Sequence, residues 1–322
     1  MTGTAFFGHF SRRALLAGLA ALAAGGQARG QGLRALRVGS APDEAIVTPL
    51  WAERSGLFRR NGIDLEIESQ HSGSAVASAV LGGTYGLGKS SLVALIAAHA
   101  HNVPFVLVAP GGIYDAAHPN TALLIKSGAP IRNAADLAGK TIAVSSLNDL
   151  YDISIRAWIA AHGGDASSSK FVELPSDAIP AALASGRIDA AGMGTPQLEE
   201  ALDAGTTLVL GYPFDAIASR FLFSVWFSTR QFVDDNRSLV TAFAQTMRTA
   251  AGYVNGHQPQ TVDLIAQFTG IEPRVIAKMQ RAVMGTALDA DLVQPVIDRC
   301  AAYNLIPATF DAKDFIVNIP NA

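Results

Sequence analysis

Strand-like and helix-like segments alternate along this chain as far as residue 210, and after one further strand signal only helices follow. Short apolar runs at 36–40, 63–67, 85–87, 105–109, 122–125, 141–144, 171–174, 188–191 and 207–210 read as strands. Between them, helical spacing of apolar residues covers 47–60, 74–81, 91–100, 150–161, 179–184 and 196–203. Parallel strands need a crossover between them, usually a helix, so the rhythm predicts an α/β protein with mostly parallel sheets flanked by helices. A last strand is predicted at 222–227, then helices at 237–254, 259–268, 273–284 and 290–302. In the first of these, Leu239, Val240, Phe243, Ala244, Met247, Ala251 and Val254 share one face, which predicts packing against a large apolar surface. Helices that close back over the first sheet require the chain to cross between two lobes twice, at 120–123 and 221–227. That places 31–120 with 224–322 in one lobe and 121–223 in the other, joined by two strands.

The N-terminal thirty residues stand apart, because they contain no acid. Ser11, Arg12 and Arg13 lead into eleven apolar or small residues at 14–24, too short for the roughly 20 residues that a bilayer span needs. A charged start, a short apolar stretch and a small-residue end fit an export signal at 1–30, and Ser-Arg-Arg-x-x-Leu resembles the twin-arginine type. Cleavage is expected near Ala28 or Gly30, with a periplasmic destination, and no cysteine follows the run to carry a lipid. Loss of Arg12, Arg13 and Arg29 from 24 basic residues leaves 21 against 27 acidic, so the net charge moves from -3 to -6 over the remaining 292 residues. Such a chain lacks the basic footprint of a nucleic-acid binder. Its single cysteine, Cys300, excludes an internal disulfide and any multi-cysteine metal or cluster site. No cofactor and no metal are expected.

The sharpest local motif is read as coincidental. The run from Gly83 to Ser90 spells the phosphate loop G-x-x-x-x-G-K-[ST], whose glycines let backbone N–H groups cradle phosphates. That loop needs a buried strand before its first glycine, and residues 74–81 read instead as an alanine-rich helix. Ser167 to Lys170 fits S-x-x-K without its companion motifs, and neither G-x-S-x-G nor H-E-x-x-H occurs. His99 and His101 stand two apart near a helix end, on different faces. The carboxylate pairs Asp43/Glu44 and Asp149/Asp152 lack a nucleophile or base beside them and read as recognition or helix-start charges.

Several segments carry a family likeness: Pro49-Leu-Trp-Ala52, Ser55-Gly-Leu-Phe58, Asn61-Gly-Ile-Asp-Leu-Glu66, Asp136-Leu-Ala-Gly-Lys-Thr-Ile-Ala143 and Ala182-Leu-Ala-Ser-Gly-Arg-Ile-Asp-Ala190. In this order they resemble the substrate-binding proteins of nitrate/sulfonate/taurine-type ABC importers, with their thiamine-pyrimidine-binding relatives. The likeness runs from about residue 36 to 254; Tyr85 stands where the family usually has an acid. It implies a two-lobed, type II periplasmic-binding fold that closes on a small solute by hinge motion, a monomer, and a cognate permease in the inner membrane as partner. It implies a receptor and not an enzyme; the synthases that share the fold carry a cysteine-rich motif that Cys300 alone cannot supply.

Strand C-termini and helix N-termini facing a cleft favour anions, since their N–H groups are unsatisfied and the helix dipole adds to them. On that ground the candidate ligand-binding residues are Ser40, Asp43, Ser72, Gly73, Ser74, Lys89, Ser90 and Ser91 in the first lobe. In the second they are Ser146, Asn148, Asp149, Thr195 and Asp215, with Tyr114 as a wall or phenol donor. A sulfonate-, taurine- or nitrate-like anion is expected. Asp43, Glu44 and Asp149 suit an amine or aminopyrimidine equally well, so a thiamine pyrimidine precursor, an aromatic acid, or an enzyme on the same fold stay open.

Overall fold

The computed structural model describes residues 32–41 and 43–319; the export signal read at 1–30 lies outside the described residues. Strands β1 (Arg34–Ser40), β2 (Ile63–Ser69), β3 (Leu87–Ser91), β4 (Phe105–Pro110) and β5 (Gly112–Asp115) come first. They are followed by β6 (Thr121–Lys126), β7 (Thr141–Val144), β8 (Lys170–Glu173), β9 (Ala190–Gly194) and β10 (Thr207–Gly211). The last are β11 (Arg220–Leu222), β12 (Ser224–Thr229) and β13 (Val283–Met284). One five-stranded sheet runs β2-β1-β3-β12-β4 and the other β10-β6-β9-β7-β8, which makes two lobes. β1 is parallel to β2 and β3, and β7 is parallel to β8 and β9. β12 runs antiparallel to β3 and β4, because the chain returns through it from the second sheet.

The segment 112–115, just ahead of the crossing expected at 120–123, pairs with 220–222 at the start of the second crossing. β5 and β11 form an antiparallel ladder, Ile113 opposite Leu222 and Tyr114 opposite Phe221, and β13 adds to the other side of β5. The strand expected at 222–227 is therefore two strands parted at Phe223, β11 in the crossing and β12 in the first sheet. The helix expected at 273–284 ends at Ile276, since Val283 and Met284 are taken by this ladder. The helix expected at 47–60 breaks into Val47–Arg54 and Leu57–Arg60 at Gly56, whose φ of 73° is left-handed.

β3 settles the phosphate-loop motif. The strand begins at Leu87, later than the expected 85–87, and Lys89 and Ser90 lie inside it. Gly88 packs against Val76, Val80 and Phe227, so it serves close packing of a helix on the sheet and not a loop around phosphate. Tyr85 precedes the strand and lays its ring on Gly39, where an added Cβ would come 2.5 Å from the ring. Its hydroxyl donates to Glu68 at 2.7 Å.

The first sheet is packed on both faces. On one, the helix Arg237–Gly256 sets Phe243 against Phe58 (centroids 5.6 Å apart) and Trp226 (5.4 Å). Burying each such side chain stabilises the fold by roughly 1.5–3 kcal/mol. On the other, Leu92, Leu95 and Ile96 meet Phe227, Phe315 and Cys300. Burial pushes the Cys300 thiol up to about 12, which keeps it a protonated packing group.

Candidate functional site

The carboxyl ends of β1, β3, β7 and β9 converge on a cavity of about 450 Å³ between the two sheets. A crevice beyond the carboxyl ends of such strands is the usual binding place in open α/β sheets. Helices start here from both lobes. Ser72 caps Gly73–Leu81, accepting from the Ala75 N–H at 3.2 Å, and Asp149 caps Leu150–Ala161, accepting from the Leu150 N–H at 2.7 Å. Their unpaired N–H groups give the cavity a positive partial charge without a side-chain cation.

On the first-lobe side the ionic groups are already paired. Lys89 is 1% exposed and bonded to Asp43, whose other carboxylate oxygen accepts from the Ala45 N–H at 2.9 Å. Glu44, 2% exposed, pairs with Arg281 and accepts from the Ala282 N–H at 2.9 Å and from the Thr195 hydroxyl at 3.1 Å. Desolvation holds the Glu44 carboxyl above its ordinary range although Arg281 works the other way. The Thr195 bond crosses between lobes.

The second-lobe side is less committed. Asp149 is half-buried, and desolvation raises its pKa against the pull of the Ser91 hydroxyl and the Leu150 N–H. Ser91 sits at the N-cap position of Leu92–Ala100 yet makes no cap bond; its hydroxyl donates across the cleft to Asp149. Desolvation also raises the Tyr151 phenol, with Asp43 and Asp149 adding to the effect. Five buried side-chain atoms among the described residues have no hydrogen-bond partner, and three of them belong to this cavity: Ser90 Oγ, Asn120 Oδ1 and Thr121 Oγ1. An unpaired buried polar group costs about 1–3 kcal/mol, so three on residues of one cavity lining make these residues candidates for ligand contact. Among the described residues no group of His, Cys, Asp and Glu is placed to hold a metal ion.

The cavity is lined by Asp43, Ser72, Gly73, Ser74, Lys89, Ser90, Ser91, Ser146, Asp149 and Thr195 of the expected set. Four expected residues lie outside its lining. Ser40 is fully buried in β1 and donates its hydroxyl to the Ala41 carbonyl at 2.9 Å. Tyr114 is buried in the crossing between Phe214 and Phe221 and donates to Asp215 at 2.6 Å, which occupies both residues structurally. Asn148 is exposed in a left-handed turn at φ 57°, its N–H donated to Asp152 at 2.8 Å. Sequence reasoning missed Asn120, Thr121, Tyr151 and Phe214, which also line the cavity. Asn120 and Thr121 fall in the expected crossing at 120–123, a position that could have flagged them as cleft-facing.

The NMT1/THI5-like family matches residues 45–261, about two thirds of the sequence, and the chain belongs to that family. This agrees with the likeness carried by the segments from 49 to 190. No curated protein matches the sequence. Among solved structures, the periplasmic aliphatic sulphonate binding protein SsuA of Escherichia coli is 21% identical with a TM-score of 0.72, over 88% of this chain and 97% of that one. The alkanesulfonate-binding protein SsuA of Xanthomonas axonopodis pv. citri, bound to MOPS, is 19% identical with a TM-score of 0.74, over 89% and 99%. The periplasmic nitrate-binding protein NrtA of Synechocystis PCC 6803 is 13% identical with a TM-score of 0.74, over 88% and 84%. At these identities the likeness establishes the two-lobed periplasmic-binding fold.

Proposed function

We propose that the protein is the solute-binding component of an ABC importer, a non-enzymatic receptor that holds a small sulfonate-, taurine- or nitrate-like anion between its lobes and delivers it to an inner-membrane permease. The observation that carries this reading is the cavity itself: two helix starts and three unpaired buried polar atoms, from both lobes, surround one space of about 450 Å³. Hydroxyls and amide N–H groups wrap oxygens without a full counter-ion, as an importer that must also release its solute requires. The paired strands β5 and β11 serve as the hinge between lobe 31–120 with 224–322 and lobe 121–223. The ligand-contacting set is the lining subset of the expected residues together with Asn120, Thr121 and Tyr151. The receptor acts as a monomer in the periplasm, after removal of 1–30.

Thermal unfolding in the presence of nitrate, taurine, alkanesulfonates, aromatic carboxylates and formylaminopyrimidine tests the reading. A ligand at a hundredfold excess over its dissociation constant stabilises the folded state by roughly 2.7 kcal/mol, enough to shift the melting temperature visibly. Turnover of any of these compounds by the pure protein would replace the receptor with an enzyme on the same fold.

A further inference from the structure

We infer that the solute is a zwitterion whose protonated amine is received by Asp149 and Asn120. The inference rests on the solute-binding reading above and narrows its ligand class. Lys89 is the one lysine or arginine among the described lining residues, and Asp43 already takes it. Of the lining acids, Glu44 is matched by Arg281 and Asp177 is exposed, which leaves Asp149 inside with no cation. A purely anionic solute would therefore enter a cavity that offers it no unpaired lysine or arginine and faces it with a carboxylate that has no cation. A solute with a positive end removes that conflict, because a buried carboxylate is retained at low cost only when it is paired and hydrogen-bonded.

The bonding of Asp149 supports this. Both of its hydrogen bonds, from the Ser91 hydroxyl and the Leu150 N–H, fall on Oδ1, so the cap and the cross-lobe link leave Oδ2 for the ligand. A second acceptor in the same cavity points the same way independently: Asn120, 4% exposed, has no donor for its Oδ1. A carboxylate oxygen and an amide oxygen that both lack donors match the several N–H bonds of an ammonium group. The acidic end of the solute then falls to the Ser90 and Thr121 hydroxyls and to the start of the helix Gly73–Leu81, where Ser72 and Ser74 stand. Phe214, Ile179 and Met193 also line the cavity, apolar surface that suits a short aliphatic linker.

Calorimetric titration of the intact protein with matched pairs tests the inference: taurine against ethanesulfonate, and β-alanine against propionate, with nitrate as a fifth probe. The amine-bearing member of a pair is expected to bind at least tenfold tighter, and Asp149→Asn, which keeps a capping side chain, is expected to abolish that difference. Equal or tighter binding of the desamino member to the unaltered protein overturns the inference and leaves the receptor reading standing. So does an amine preference that survives Asp149→Asn. Binding of none of the five probes overturns the anion-receptor reading itself.

Discussion

The two walls of the cleft solve the same electrostatic problem in opposite ways. On the first-lobe wall, Asp43 and Glu44 each have a buried cation, Lys89 and Arg281, and backbone N–H donors besides. On the second-lobe wall, Asp149 has a hydroxyl and one amide but no cation, and Thr121 has an unpaired hydroxyl. The difference leaves the first wall with its charges balanced internally and the second with a carboxylate that lacks a cation. A wall whose charges are satisfied internally keeps its shape when the cleft opens; a wall with unsatisfied groups gains most when the right solute arrives.

The largest effect should come from unbalancing the first wall. Asp43→Ala strands a Lys89 that is 1% exposed, and Glu44→Ala strands Arg281 at 8%. Removing one partner of a buried pair costs about 3–5 kcal/mol, so urea unfolding midpoints should drop sharply for both variants. Asp149→Asn should leave the midpoint unchanged or raise it. An Asp149→Asn protein as unstable as Asp43→Ala would erase the contrast between the walls.

Next in size are the unpaired hydroxyls. Ser90→Ala and Thr121→Ala remove buried atoms that bond to nothing in the protein, so stability should hold or improve. The loss of one hydrogen bond to ligand, about 1–1.5 kcal/mol, should weaken binding roughly tenfold in a titration. Asn148→Ala, outside the cavity lining, should leave affinity unchanged. Retained affinity in Ser90→Ala would take Ser90 out of the site.

A smaller effect concerns pH. Burial raises the carboxyls of Glu44 and Asp149 above the usual range near 4. Between the unfolded and folded pKa values the native state binds more protons than the unfolded chain, so stability is greatest below that window and declines as pH rises through it. Melting temperatures across mildly acidic pH should show this decline, with a shallower slope in Asp149→Asn. The weakest change should be at the surface, where Asp203 of the second lobe meets Lys278 and Arg274, the latter at 3.4 Å. Asp203→Asn should cost less than about 1 kcal/mol and less still in high salt.

Much of this architecture is visible in the residue pattern. Alternation in Ile63-Asp-Leu-Glu-Ile and the one-faced apolar series of 239–254 are local periodicities, and the structure keeps them as β2 and the long helix. Where a local signal competed with tertiary pairing, pairing won: Val283 and Met284 left a helical pattern to extend the crossing ladder, and Lys89 left a loop-like motif for the interior of β3. The candidate site was legible where serines, Asp43 or Asp149 stand at helix starts, because capping is a short-range rule. It was not legible at Tyr114 and Asp215, which bond each other across 101 positions of sequence, nor at Tyr151 and Phe214, whose types suggest only core.

By itself, then, the sequence determined the order and kind of most elements and the return of the chain to its first sheet, since periodicity, turn residues and composition are properties of neighbours along the chain. The tertiary structure alone decided that Lys89 is spent on Asp43, that 112–115 and 220–222 pair as strands, and that Asp149 faces the cavity without a cation. Charge balance in a buried site depends on which distant groups meet there and how much water they lose, and neither is written in any local stretch of residues.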